Sequence, residues 1–297
     1  MKLNSIIMCS IRRWAALLTL IVGIASSAAA QNPTPTPTPP APLATPTPTL
    51  ERKFIRNILH DELAIFTFPL HLNRHDSKWL IPLTLSTGAL ITTDPNTARA
   101  LGNSPNRLRI SNDISYLGTY GAGGTAAAFY LVGLATHNAR ARETGLLSGE
   151  ALIDSTIVGQ VLKFAAQRPR PLDDEHRNGD FFEGGNSFPS GHALAAWSVA
   201  TVIAYEYKDH ALVQFGAYGL AAAVSVARYT GQNHFLSDVL VGSAIGYGVG
   251  RYVYKTHHDP NLDGGNGRRT RSKRFPMISP RYNGRARGSG ITLAWNF

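Results

Sequence analysis

Cysteine is almost absent from this chain of 297 residues; the only one is Cys9. It sits in an N-terminal segment where Lys2, Arg12 and Arg13 precede an apolar run, Ala15 to Ala25, followed by the small residues Ser26 to Ala30. Residues 1–30 therefore read as a secretory signal peptide. The apolar run is shorter than the roughly 20 residues that a membrane span requires. A chain cleaved after Ala30 contains no cysteine and forms no disulfide, so packing alone must hold it together. Strand-like alternation is missing from the long central region, which excludes an all-β architecture there. Excess charge is missing from it too. The formal net charge is +10, but residues 1–30 carry +3, and residues 251–297 hold ten Lys or Arg against Asp259 and Asp263. The stretch between is close to neutral, so the basic balance belongs to a tail, and nucleic acid is not an expected partner.

Pro33 to Thr49 alternates Thr and Pro, lacks the apolar surface to fold, and favours extended polyproline conformation. Residues 31–49 are thus a linker, 50–255 the folded domain, and 256–297 a basic Gly/Arg-rich tail. From Leu50 to Leu72, the residues Phe54, Ile55, Ile58, Leu59, Ile65 and Phe66 recur at helical spacing, interrupted by Lys53, Arg56, Asp61 and Glu62. This predicts an amphipathic helix laid across a bundle. Apolar segments at about 113–136, 149–166, 191–207, 211–228 and 235–254 have helical lengths and no strand alternation, so the fold class is all-α, a helical bundle. Dilution by Gly, Ser, Thr and Tyr and a mean hydropathy of −0.10 favour a soluble or peripheral bundle over one that crosses the membrane repeatedly. Gly242, Gly246 and Gly250 share one helix face, where a neighbour can approach closely. Near the C-terminus, Ile291, Leu293, Trp295 and Phe297 alternate with smaller or polar residues, and a short terminal β-hairpin is expected.

Three blocks carry chemistry. Lys163 stands seven residues before Arg170-Pro171; Pro189-Ser190-Gly191-His192 opens a helical run; Arg228, His234 and Asp238 follow in one segment. Phosphate esters resist attack because their oxygens are negative, so a catalyst must supply cations around them. Lys163, Arg170 and Arg228 are suited to that, arginine through its planar fork and lysine as a compact charge. Ser190 is a natural helix N-cap, with free amides behind it that favour an anion, and Gly191 leaves room for close approach. His234 and Asp238 are four residues apart and share a helical face. If Asp238 accepts from one ring nitrogen, the other is left nucleophilic, and His192 is available as acid and base. The acidic stretch from Asp173 to Asn186 reads either as a rim of this pocket or as a solvated connection. His257-His258-Asp259 is read as facing solvent, so no metal site and no cofactor are expected.

These blocks resemble the type-2 phosphatidic acid phosphatase and vanadium haloperoxidase superfamily. Its signature is Lys, six residues, Arg-Pro; then Pro-Ser-Gly-His; then Ser-Arg, five residues, His, three residues, Asp. Ala227 replaces the usual serine here. The resemblance spans roughly residues 110–255. It implies a helical bundle, with His234 as nucleophile through a phosphohistidine intermediate, His192 as acid and base, and Asp238 as orienter. It further implies that Lys163, Arg170, Ser190, Gly191 and Arg228 hold phosphate oxygens. The expected function is a metal-independent phosphatase in the cell envelope, acting on phosphomonoesters or pyrophosphates, lipid phosphates among them. A haloperoxidase using vanadate and a non-catalytic envelope protein binding lipid or anions are the alternatives. Oligomeric state is not legible.

Overall fold

The computed structural model describes residues 50–263, 277–283 and 288–294. The expected signal peptide and the Thr-Pro linker lie outside these residues. Seven α-helices follow among the described residues: α1 (Leu50–Thr67), α2 (Ser77–Leu101), α3 (Pro105–Ala135), α4 (Ala139–Ala166), α5 (Gly191–Glu206), α6 (Ala211–Thr230) and α7 (Leu236–His257). The fold class is all-α, as read from the segment lengths. The chain divides into two compact units, one ending at His258 and the other spanning Asp259–Phe297. Within the second, β1 (Met277–Asn283) and β2 (Gly288–Ala294) pair antiparallel, with Met277 opposite Ala294 and Asn283 opposite Gly288. Trp295 and Phe297 fall outside the described residues.

Helix α5 lies at the centre of the first unit, with Leu194 and Val202 at 1 % and 0 % exposure. Burying each such side chain contributes roughly 1.5–3 kcal/mol. The glycine stripe of α7 lies against it. A Cβ at Gly242 would fall 2.5 Å from the Ser190 carbonyl oxygen, at Gly246 2.2 Å from that of Leu194, and at Gly250 2.3 Å from that of Ser198. Only hydrogen at these positions permits the approach, as the spacing predicted. One core joins Phe129 of α3 and Ala141 of α4 to Val199 and Ile203 of α5; another joins Leu147 and Ala151 of α4 to Val202, Val249 and Val253.

Two expectations about the N-terminal part need correction. Helix α2 has no counterpart among the predicted segments, because Pro82 and Pro95 punctuate it, yet the helix runs through both. Helix α1 forms with Ile58 buried and Phe54 and Ile65 half-buried, but Asn57 and Asp61 are buried beside them, while Ile55, Leu59 and Phe66 are exposed. Its acidic side is drawn inward because Asp61 meets the His257 ring at 2.8 Å. Exposed apolar side chains continue on other helices, with Trp79 and Leu85 on α2 and Leu212 and Phe215 on α6. Among the described helices α6 is the one long and apolar enough to cross a membrane, and little of it is buried.

Candidate active site

All eight residues singled out from the sequence sit at one end of the bundle. Lys163 lies in the last turn of α4, Ser190, Gly191 and His192 at the start of α5, Arg228 in the last turn of α6, and Asp238 in the first turn of α7. Arg170 and His234 occupy the two loops that enter α5 and α7. The charges act on one another. His192 is pushed down to about 3 by burial and then by the nearby charges of Arg228, His234, Lys163 and Arg170. Lys163 is lowered to about 8 by burial and the neighbouring Arg170. Burial and Arg170 likewise lower Arg228 to about 10. These are the shifts of a cluster of cations gathered without enough negative charge.

The loop between α4 and α5 builds much of this end. Its main chain clamps the α4 C-terminus: the amides of Phe182, Glu183 and Ser187 donate to the carbonyls of Ala166, Gln167 and Arg168. Asp174 accepts from the amides of His176 and Gly179, folding the acidic stretch into a tight turn. Asn186 then reaches both cations, its carbonyl accepting from Lys163 Nζ at 2.7 Å and its side-chain oxygen from Arg170 Nε at 2.9 Å. The stretch is therefore pinned through its main chain and holds two cations through Asn186, while Asp173, Glu175, Asp180 and Glu183 stay exposed to solvent.

His234 is 1 % exposed, and its Nδ1 lies 2.7 Å from the main-chain carbonyl of Ser187. A carbonyl only accepts, so Nδ1 carries the proton and the lone pair is left on Nε2. Asp238 was expected to accept this proton directly. Its nearest oxygen is 3.7 Å from Nδ1, beyond hydrogen-bond range. It instead accepts from Ser187 Oγ at 2.5 Å, from Arg168 at 2.6 Å and from the Phe235 amide at 2.9 Å. Asp238 thus fixes the segment whose carbonyl orients the imidazole, and its charge still acts on the ring from beside it. Although burial raises it, the neighbouring His234, then Arg168 and Ser187, hold its carboxyl below the usual range, while His234 is lowered to about 4 chiefly by burial.

Sequence reasoning missed Arg168. It is fully buried, donating to Asp238, Ser237 Oγ, Asp94 and the Gly179 carbonyl, with its guanidinium over the rings of Phe181 and Phe235. Asp94, on α2, is fully buried as well. The available signal was the doubled Arg-Pro of Arg168-Pro169-Arg170-Pro171, of which only the second pair was used. Gly179 has φ +63°, and a Cβ there would strike Phe235 at 2.5 Å, so this turn over Arg168 requires glycine.

Among the described residues at this end, the Ser190 hydroxyl and Arg228 Nε are buried donors without a partner, and Gln232 Oε1 in the loop before α7 is a buried acceptor without one. Ser190 occupies the N-cap position of α5 but makes no side-chain capping bond. An unsatisfied buried donor costs about 1–3 kcal/mol, which a bound anion relieves.

The family model of the PAP2 superfamily matches residues 144–261. This part of the chain is similar to the PAP2 superfamily. The matched segment begins in α4 and contains all three sequence blocks. Over 70 residues the chain is 36 % identical to the lipid A 1-phosphatase of Porphyromonas gingivalis, a match spanning 23 % of this chain and 16 % of that one. The chain thus covers about a sixth of that curated relative. Among solved structures it is similar to the transmembrane PAP2-type phosphatidylglycerolphosphate phosphatase of Bacillus subtilis. There the TM-score is 0.45 and the identity 24 %, over 69 % of this chain and 94 % of that one. It is also similar to LpxE of Aquifex aeolicus, with a TM-score of 0.37 and 20 % identity over 53 % and 92 % of the two chains.

Proposed function

We propose that this chain is an exported, membrane-associated phosphatase that hydrolyses phosphomonoesters or pyrophosphates of lipids in the cell envelope. The observation that carries the reading is the partnerless pair at the cationic end, Ser190 Oγ and Arg228 Nε, set beside an imidazole whose tautomer is fixed. Lys163, Arg170 and Arg228, with the Ser190 hydroxyl and the Gly191 amide, surround the phosphate oxygens. Three cations supply the charge neutralisation for which other phosphatases use metal ions.

Nε2 of His234 attacks phosphorus in line, forming an N–P bond while the P–O bond to the leaving group breaks. The proton stays on Nδ1, donated to the Ser187 carbonyl, and that hydrogen bond stabilises the positive charge that develops on the ring. His192 gives its proton to the departing oxygen. That proton arrives with the substrate, because the free site holds His192 well below neutrality and a bound phosphate anion raises it. Water, deprotonated by His192, then cleaves the phosphohistidine and releases phosphate.

A lipid carrier is supported by three features. The curated relative is a lipid A phosphatase. Exposed apolar side chains cover α1, α2 and α6. Beside the cations stand two rings open to solvent, Phe164 next to Lys163 at 80 % exposure and Phe182 on the clamping loop at 76 %. Such rings suit a substrate whose phosphate enters the charged pocket while its chain stays in an apolar layer.

The test is turnover by the purified protein with lipid phosphates, prenyl pyrophosphates and short soluble esters in parallel. Release of phosphate that is fastest from lipids and blocked by orthovanadate is expected. Halide oxidation with peroxide would instead select the haloperoxidase reading. Binding without turnover of any ester would select the non-catalytic one.

A further inference from the structure

The opposite end of α7 carries an ionic cluster that the phosphate chemistry does not use. His257, in the last turn, was expected to face solvent; its side chain is only 13 % exposed and points at two carboxylates. Its Nε2 lies 2.8 and 3.0 Å from the two oxygens of Asp61 on α1, and 3.4 Å from Glu150 Oε1 on α4. Asp61 and Glu150 are 0 % and 1 % exposed. The three ligand-type atoms all lie within 4.8 Å of one another. Two atoms bound to one metal at about 2.0–2.2 Å stand about 3.3–3.6 Å apart in a tetrahedron, which the imidazole matches to Glu150, while Asp61 lies closer, at hydrogen-bond distance.

A second observation points to a missing cation. Asp154 is one helical turn beyond Glu150 on the same face of α4, and its charge acts on both Glu150 and Asp61. It is fully buried, and neither of its oxygens has a hydrogen-bond partner. Glu62, one residue on from Asp61, also has both oxygens buried without a partner. Against these carboxylates the histidine supplies at most one positive charge. Buried carboxylates at such density are paired, protonated or bound to a metal; burial and mutual repulsion raise Glu150 to about 9 and Asp154 to about 8 while no cation is bound.

We propose that Asp61, Glu150 and His257, with the buried charge of Asp154 one turn away, bind one divalent transition cation, Zn2+ or Mn2+, that ties α1, α4 and α7 together. One imidazole with several carboxylate oxygens suits these ions better than the softer, thiolate-preferring metals. The site lies at the end of α7 away from Asp238. Nineteen positions along the helix separate Asp238 from His257, about 28 Å at the α-helical rise. Its role is therefore to hold the bundle together, and it leaves hydrolysis to the cationic end.

The test uses the full chain, stripped with EDTA and then dialysed against Zn2+ or Mn2+ alone. About one equivalent should stay bound, X-ray absorption should show one imidazole among oxygen donors, and Tm should rise by about 5 °C or more at a hundredfold excess over Kd. The double variant Glu150→Gln/Asp154→Asn should lose both retention and the rise in Tm, whereas His192→Ala, at the phosphate end, should keep both. Failure of the stripped protein to retain either ion overturns the proposal, as does undiminished retention by the double variant. Loss of the ion in His192→Ala would assign it to the phosphate end and overturn it equally. Should the double variant not fold, the absorption spectrum of the unmodified protein decides: a metal shell without imidazole contradicts the site.

Discussion

Helix α7 has a buried ionic cluster at each end, and the two are opposite in sign. At its N-terminus Asp94 and Asp238 share Arg168, and the further cations Lys163, Arg170 and Arg228 leave positive charge in excess. At its C-terminus Asp61, Glu150 and Asp154 face one imidazole, leaving negative charge in excess. Each end also leaves buried polar atoms unpartnered: donors at Ser190 and Arg228, acceptors at Asp154. The difference teaches what each end awaits. Ionic groups buried for stability alone arrive matched; an unmatched set of donors calls for an anion, and an unmatched set of acceptors calls for a cation.

The comparison breaks most sharply at His234. His234→Ala is expected to lower turnover by more than roughly 10³-fold, while metal retention at the other end is unchanged; steady-state kinetics and metal analysis on one preparation check both. Next in size is the pair that anchors the cationic end. Arg168→Met leaves Asp94 and Asp238 buried together without their shared cation, and should lower stability by about 3–5 kcal/mol in denaturant titration. A loss below about 1 kcal/mol would mean that Arg168 is not what keeps Asp238 charged.

A smaller effect concerns pH. His234, lowered to about 4, is neutral and nucleophilic above that pH, and Lys163, lowered to about 8, keeps its charge only below that pH. The profile of kcat/KM should therefore rise through about 4 and fall through about 8. Lys163→Arg should move the alkaline fall upward by at least one pH unit; an unmoved fall would assign it to another group. The smallest expected effect is at the seam joining the two ends. Gly246→Ala forces a Cβ against the Leu194 carbonyl and should cost about 1–3 kcal/mol in stability, with the KM for ester barely altered.

How much was legible in the sequence follows the same division. The gathering of the cationic end was legible because its residues fall in short blocks, each within one helix terminus and the loop beside it, and because a glycine every fourth position announced the α5–α7 seam. Helix α2 was not, since two prolines masked its periodicity, and with it Asp94 was lost. Arg168 was hidden by its neighbour Arg170, as nothing local tells which of two alternating arginines turns into the interior. The burial of Asn57 and Asp61 on α1 was missed because amphipathicity gives two faces but not which polar residues turn inward beside the apolar ones. Asp61 is buried by a partner 196 positions away. The carboxylate end was illegible for the same reason: Asp61, Glu150 and His257 come from three distant helices, and His257 and His258 stand where a polar tail begins.

The central claim is that His234 becomes covalently phosphorylated. Rapid acid-free quenching of the purified protein with a substrate labelled in its phosphoryl group tests it most directly. The account predicts a burst of label bound to protein, stable in base, labile in acid and mapping by mass spectrometry to His234. Multiple turnovers with no protein-bound label, or the same label on the His234→Ala protein, would contradict it.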